Sequence, residues 1–433
     1  MTTSPIGIRS TLTWLAEDSR FQKIADLVSE YMAVYEEPKE FVLGKTRIPL
    51  NVPTYGAPEV IEALDSLMST WVTMGAKVKA FEEMFAQYVG ISDAVMVNSG
   101  SSANLLALSA LGLSAGAEVI TPAITWATTV FPIVQIGAVP VLVDVSPQTF
   151  NIDPEEVERA ITPKTEAIMP VHLLGNPCDM DAIMDIAMRR GLYVIEDACE
   201  ATGAEWRRKK VGSFGDLATF SFYFSHHLST VEGGMVTSNN QEVAEKLRSL
   251  RTHGGVRDLK SRDAWAMKHS DIDSRFLFIH AGYNLRPTEM QAAFGIHQLP
   301  QLEKFIEGRR ETVAFWNTKF AKYSDYLVLP REELNTRHVW LGYPITVKKD
   351  APFRRGDLTA FLEAKGVETR PIVAGNIAEQ PVMKDIKHRI AGALPNARAI
   401  HRQGFYIGCQ REMGEEAREA IVGYFEEFFK ERV

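Results

Sequence analysis

A chain of 433 residues, 45% hydrophobic and 24% charged, has the makeup of folded domains and not of a disordered or collagen-like polymer. At ordinary domain sizes this length makes roughly three units, or two larger ones. Its 47 basic and 55 acidic residues leave a net charge of −8, which argues against nucleic acid held in a basic field and points to no partner.

Three cysteines, Cys178, Cys199 and Cys409, are too sparse for a disulfide framework, so a reducing compartment is expected. No CxxC pair or cysteine cluster is present to hold zinc or an iron–sulfur centre. The first 20 residues lack an apolar leader core, and no run reaches the ~18 apolar residues of a membrane span. The expectation is a cytoplasmic protein that engages neither membrane nor nucleic acid.

Residues 1–45 read as a polar, helix-prone lead-in, with Glu30, Glu36, Glu37 and Glu40 among apolar residues. From Pro53, short apolar runs alternate with helical stretches. The runs are 94–99, 118–122, 139–145, 166–172, 192–198 and 217–223; the helical stretches are 101–112, 126–137, 154–161 and 181–191. Runs apolar on both faces and separated by helices predict βαβ units, a mostly parallel sheet and right-handed crossovers. Residues 253–280 are polar and irregular, and loops of that length are usually functional or disordered. The helical stretch 287–323 must bend near Pro300. A strand at 340–347, a helix at 357–366, a strand at 367–373 and a last helix from Glu415 predict a smaller α+β unit. The expected division is a helical lead-in (1–45), a large unit (46–300) and a small C-terminal unit (301–433).

Four local features carry chemistry. In NSGSSANL (98–105) a strand runs through a Gly/Ser turn into a helix. The amides of such a helix start, with the hydroxyls of Ser101 and Ser102, suit a phosphate; the plainer alternative is a helix capped by Ser101. Glu196 and Asp197 close LYVIEDA, at the strand edge where open α/β sheets take ligands. A buried Asp needs a cation, which a protonated pyridine nitrogen or an internal salt bridge would supply. Trp126 follows the run 118–122 and suits either stacking on an aromatic ring or a place in the core. FSFYFSHHLSTVEGG (220–234) carries His226 and His227, but no third ligand at useful spacing, so a metal site is not expected.

In this order the features resemble the sugar-nucleotide aminotransferase family, which binds pyridoxal 5′-phosphate (PLP) on the aspartate-aminotransferase type fold (fold type I). The resemblance spans roughly residues 46–430 and includes GYNLRPTEMQAA (282–293) and TRPIVAGN (369–376). It implies an α/β large domain with a mostly parallel seven-stranded sheet and a small α+β C-terminal domain. By matching position it implies that Ser101, Ser102 and Ser221 hold the phosphate and that Trp126 stacks on the pyridine ring. Asp197 would pair with the pyridine nitrogen, making the ring an electron sink, and Glu200 would lie alongside. Asn284 would reach the phosphate of a neighbouring subunit, implying a homodimer with shared active sites.

One position departs from the family. Its Schiff-base lysine is replaced by His226, counted from FSF to EGG, and Tyr223, Ser225, Lys209 and Lys210 do not take its place. Histidine has no primary amine, so PLP and pyridoxamine 5′-phosphate (PMP) are expected to bind noncovalently. The swap resembles the 3-dehydratase branch, which makes 3,6-dideoxysugars. One kind there acts on a CDP-linked 4-keto-6-deoxyhexose with an iron–sulfur cluster and a reductase partner. The other acts on GDP-4-keto-6-deoxymannose in the colitose pathway with glutamate alone. Residues 200–408 contain no cysteine, which opposes the first kind. TMGAKVKAFE (73–82), LLGNPCDM (173–180) and RPIVAGN (370–376) lean to the second, whereas a lead-in of about 40 residues is closer to the longer CDP-type chains.

The resemblance therefore implies removal of the 3-hydroxyl of a nucleotide-linked 4-keto-6-deoxysugar, with L-glutamate forming PMP, ammonia released and no reductase partner. His226 is the expected base, with His227 as the alternative. His253, Arg257 and Arg286 match glutamate-contacting positions, and Glu368 a pocket-lining one. Competing expectations are a cluster-free CDP-sugar dehydratase, a sugar-nucleotide aminotransferase and a non-catalytic PLP-fold binding protein. Retention of Asp197, Ser221, Trp126 and the glutamate clamp opposes the last.

Overall fold

The computed structural model describes residues 15–36 and 40–433; the first 14 positions, where a leader was sought, and 37–39 lie outside the described residues. Seven strands form the main sheet: β1 (Asp93–Val97), β2 (Glu118–Pro122), β3 (Val139–Val143), β4 (Thr165–Ile168), β5 (Tyr193–Asp197), β6 (Leu217–Ser221) and β7 (Gly234–Ser238). Their spatial order is β1-β7-β6-β5-β4-β2-β3. Strands β6, β5, β4, β2 and β3 are parallel, while β7 runs antiparallel to both β1 and β6. Strands such as β2 and β3 are buried along their whole length, which is why they read as unbroken apolar runs. The crossover helices Gly100–Leu111, Ala127–Gln135, Pro154–Ala160 and Met180–Arg190 stand where the sequence places them.

The sheet is longer than expected by one short element. Arg389–Ile390, from the C-terminal third, adds a parallel strand beside β3. Arg389 also pairs with the buried Glu118 of β2 at 2.8 Å, fastening that segment to the large unit.

The helix after Thr288 ends at Gln298, a 3-10 turn spans Leu299–Gln301, and a second helix runs Leu302–Phe320, so the break falls at Pro300. The small unit folds on Trp316, Phe320, Tyr343, Phe405 and Phe425, and it draws in Ile48 from the other end of the chain. It is not wholly separate. Ile372, Ile377, Met383 and Ile400 pack with Ala123, Val130 and Leu142 of the large unit, so the segment 372–400 serves both.

The stretch 253–280 has more order than its polarity suggests. A helix (Arg262–Lys268) and a 3-10 turn (Ser274–Phe276) gather round Val256, Leu259 and Leu277. In the lead-in, helix Ser19–Glu36 buries Phe21 and Ala25, and the Leu15 amide donates to Asp65 at 2.8 Å. No described helix is long and apolar enough to cross a membrane.

Candidate active site

The site forms where the C-terminal ends of β1, β2, β5 and β6 meet helix starts. After β1 the chain turns into helix Gly100–Leu111. Ser99, not Ser101, is its cap: the Ser99 hydroxyl accepts the Ser102 amide at 3.1 Å. Ser101 is left exposed and Ser102 half-buried. A Cβ on Gly100 would stand 2.5 Å from the Cβ of Ser221, and one on Gly234 would stand 2.4 Å from the Ser99 carbonyl oxygen. Those glycines let β6 and β7 press against the helix start and bring Ser221 to its first turn. First-turn amides have no intrahelical acceptor, and the helix dipole favours an anion there.

Glu196 and Asp197 are neighbours on β5 with different employment. Glu196 meets His172 at 3.1 Å and accepts the amides of Gly212, Phe214 and Gly215. It is the internal pair that the sequence left open. Asp197 is equally buried, yet its donors are neutral: Asn104 Nδ2 at 3.0 Å, Thr129 Oγ1 at 2.8 Å and the Cys199 amide at 3.2 Å. Asn104 is oriented by Thr219, whose hydroxyl donates to its carbonyl oxygen at 2.6 Å. Among the described residues no Lys, Arg or His pairs with Asp197. A buried carboxylate without a cation is costly, and a protonated pyridine nitrogen would complete it.

Trp126 begins the helix that carries Thr129 and is 56% exposed, so it is not a core residue. An open indole, a cation-seeking Asp197 and an amide- and hydroxyl-rich helix start fit a PLP-type group.

His226 and His227 lie on the loop between β6 and β7. His226 is half-buried, its Nδ1 is enclosed without a partner, and its ring makes no hydrogen bond among the described residues. Burial, then the charge of Arg309, lowers its pKa to about 4, so the ring is neutral at pH 7. His227 is fully buried with Nε2 2.9 Å from the Val339 carbonyl, which ties it into the packing. Lys209 lies over Phe214, and Lys210 over Tyr88, so neither of these two lysines takes their place.

Glu200 sits at the seam with the small unit. It accepts the Leu174 amide at 2.7 Å, and burial raises its pKa to about 7. Tyr406, from the small-unit strand Gly404–Ile407, is pushed up to about 12 by burial and then by the charge of Glu200.

The remaining candidates stand elsewhere. Thr252 bridges Asn284, the His253 amide donates to the Tyr283 carbonyl at 2.6 Å, and Arg286 Nε donates to Asn284 Oδ1 at 3.0 Å. His253, Asn284 and Arg286 thus share one ribbon, with Arg257 further along; all four are exposed. A Cβ on Gly254 would stand 1.8 Å from the His280 carbonyl oxygen, so the ribbon closes only with glycine there. None of the four bonds to Ser101, Trp126, Asp197 or His226 of the same chain. Glu368 is occupied by Arg370 at 2.6 Å, Arg47 at 3.3 Å and the Leu50 amide, tying the end of the lead-in to strand Thr369–Pro371.

Sequence reasoning did not single out Asn104 and Thr129, although both lie inside motifs it used. The spacing of Asn104 from the Gly/Ser turn and of Thr129 from Trp126 was the available signal. Among the described residues no group of three or more His, Cys, Asp or Glu is placed to hold a metal.

Together the fold and this site define a PLP-dependent enzyme of the aspartate-aminotransferase type. The chain belongs to the DegT/DnrJ/EryC1/StrS aminotransferase family, whose pattern matches residues 54–426. It is 38% identical to the GDP-4-keto-6-deoxy-D-mannose 3-dehydratase of Yersinia pseudotuberculosis, over 83% of this chain and 93% of that one. It is 35% identical to the lipopolysaccharide biosynthesis protein RfbH of Salmonella typhimurium, over 94% of this chain and 98% of that one. The E. coli GDP-4-keto-6-deoxy-D-mannose-3-dehydratase with bound hydrated PLP aligns with a TM-score of 0.81 at 36% identity, covering 88% of this chain and 98% of that one. A GDP-4-keto-6-deoxymannose-3-dehydratase with a trapped PLP–glutamate geminal diamine aligns at 0.80 and 36% identity, covering 88% and 99%.

Proposed function

We propose that this chain is a PLP/PMP-dependent 3-dehydratase acting on GDP-4-keto-6-deoxy-D-mannose, with L-glutamate as amino donor. It works in the cytoplasm as a homodimer, without a reductase, in 3,6-dideoxysugar synthesis of the colitose type for lipopolysaccharide O-antigen. The observation that carries this is His226: a neutral, half-buried imidazole where the family places its lysine, with no hydrogen bond to its ring among the described residues. The named relatives and the glutamate-bound neighbour supply the substrate classes.

When bound, PLP supplies an electron sink and, as PMP, the amine that engages the sugar's 4-keto carbon so that the 3-hydroxyl can leave. The helix start with Ser101, Ser102 and Ser221 holds its phosphate. Asp197 keeps the ring nitrogen protonated, Trp126 covers the ring face and Glu200 flanks it. His226 takes and returns protons at Nε2, which its neutral ring permits at pH 7. His253, Arg257 and Arg286 clamp the two carboxylates of glutamate, Arg by its bidentate fork. They and Asn284 bond to none of Ser101, Trp126, Asp197 and His226 in one chain, which supports their serving the site of a second copy. Glu368 borders the sugar end of the pocket.

The test is incubation with glutamate and the GDP-linked ketosugar, reading ammonia, 2-oxoglutarate and sugar mass. The expected product has lost one oxygen, with one ammonia and one 2-oxoglutarate formed per turnover. A stable aminosugar would overturn the dehydratase assignment, and faster turnover of a CDP-linked ketosugar would overturn the GDP assignment. His226→Asn should slow dehydration by about 100-fold or more. Near-wild-type turnover in that variant would remove His226 from the role.

A further inference from the structure

Arg309 is an unusual cation. It lies on helix Leu302–Phe320, is 2% exposed and forms no ion pair among the described residues. Buried arginines normally have a carboxylate, because an uncompensated charge in a low-dielectric interior is costly. Here Nη1 donates to the Trp340 and Leu341 carbonyls at 3.2 and 3.0 Å, and Nη2 donates to Asn51 Oδ1 at 3.0 Å. Asn51 passes the contact on: its Nδ2 donates to the Phe224 carbonyl at 3.1 Å, two residues before His226. Three segments remote in sequence therefore converge on the loop that carries the imidazole. His227 fastens the same loop to Val339, next to the carbonyls that Arg309 holds.

We propose that Arg309, acting through Asn51, is the positioning residue of His226: it anchors the loop at Phe224 and sets a positive field across the imidazole that opposes the anions the site gathers. The proposal rests on the assignment of His226 as the base. The chemistry supplies the reason for such a field. A phosphate, the carboxylates of glutamate and a sugar nucleotide diphosphate all enter a site that already holds Asp197. Each anion favours a protonated imidazole, which cannot take a proton.

The other groups around the ring do not cancel Arg309. Tyr223, on the same loop, presents its ring edge-on, with its centroid 6.3 Å from that of His226. Burial keeps His227, the next residue, neutral, and keeps the Cys409 thiol, which faces Arg309, protonated and pushed up to about 11. Arg309 also depresses His226 by its charge, second only to burial.

The test is an NMR titration of His226 in the ligand-free protein, assigned with His226→Asn, beside the pH profile of kcat/KM for ammonia release. Arg309→Met should move the His226 midpoint up from about 4 by less than half of the way to the usual 6.5, because burial, the larger cause, remains. The acid limb of kcat/KM should rise with it, costing at most about 2.5-fold at pH 5 and almost nothing at pH 7. Arg309→Lys should leave midpoint and limb in place. If Arg309→Met does not fold, Asn51→Asp keeps a partner for the guanidinium, neutralises its field and withdraws the donor from Phe224, and it should shift the midpoint the same way. An unmoved midpoint in the folded variant overturns the proposal, as does a loss of activity equal at every pH. Full activity of His226→Asn together with a moved midpoint would overturn the base assignment while leaving the field of Arg309 standing.

Discussion

Two regions of the molecule hold the charged groups of the site in opposite ways. At the sheet edge, Asp197 is buried and both of its side-chain donors are themselves fixed: Asn104 by Thr219, and Thr129 by the Thr125 hydroxyl at 2.7 Å. On the ribbon, His253, Asn284 and Arg286 are exposed, and their order comes from backbone pairing. The sheet edge surrounds its buried carboxylate with neutral donors. The ribbon's Arg286 and Asn284 bond to each other, and neither bonds to Asp197 or His226. Rigid donors around a buried charge preorganise a bound group, whereas exposed arginines gain their energy when a second surface desolvates them. The contrast separates the half of the site that one chain builds from the half that needs another copy.

The largest effect should come from the sheet edge. Asp197→Asn removes the counter-charge and leaves Asn104 and Thr129 facing an amide. Loss of one partner of a buried ion pair costs about 3–5 kcal/mol, or some two to nearly four orders of magnitude in affinity. Titration of cofactor absorbance should show that loss, with dehydration falling alongside. Glu196→Gln, one residue away, should destabilise the fold and leave cofactor affinity nearly unchanged. Equal cofactor loss in both variants would erase the distinction between the two carboxylates.

The ribbon should respond differently, because its deficit can be repaired in trans. Arg286→Ala and His226→Asn should each be poorly active as pure proteins. After subunit exchange, half the dimers are hybrids, and half the sites in those are intact if the ribbon serves the other copy. Activity should then recover to about a quarter of the wild-type value. No recovery, with exchange confirmed by mass, would place the ribbon against its own chain's His226 and break the two-copy reading.

Much of this was legible in the residues, and the exceptions have physical causes. The βαβ alternation could be read because β2 and β3 are buried on both faces and their helices are not. Fold and cofactor class followed from short motifs at strand ends. The cap was misplaced by two residues because Ser99, Ser101 and Ser102 are chemically alike, and tertiary pressure from Ser221 and Gly234 on Gly100 decides which one turns inward. The division of labour between Glu196 and Asp197 was implicit in strand geometry, since adjacent side chains face opposite sides of a sheet. Which side faced the ligand was not. The order in 253–280 escaped because three apolar residues suffice for that small cluster. Arg309 left no local trace: on helix Leu302–Phe320 it reads as one more solvated charge, and only the fold buries it against Asn51.

The smallest effect tests whether burial distinguishes the two regions in solution. Glu200 belongs to the sheet-edge side, and its folded pKa of about 7 stands above the 4.5 of an ordinary glutamate. Between those values the native protein keeps a proton that the unfolded chain has lost. Glu200 therefore contributes stability that is full below pH 4.5 and is lost as pH rises through 7, by no more than about 3 kcal/mol. Glu200→Gln cannot titrate, so its stability should decline less between pH 5 and pH 8 than that of the wild type, as read from urea midpoints at constant m-value. Arg286→Ala should leave the wild-type slope unchanged, since an exposed ribbon charge loses little solvation on folding. If Glu200→Gln and wild type share one slope, the carboxylate is solvated in the folded protein, and the seam between β5 and the small unit is open to water in place of the closed wall that holds Asp197.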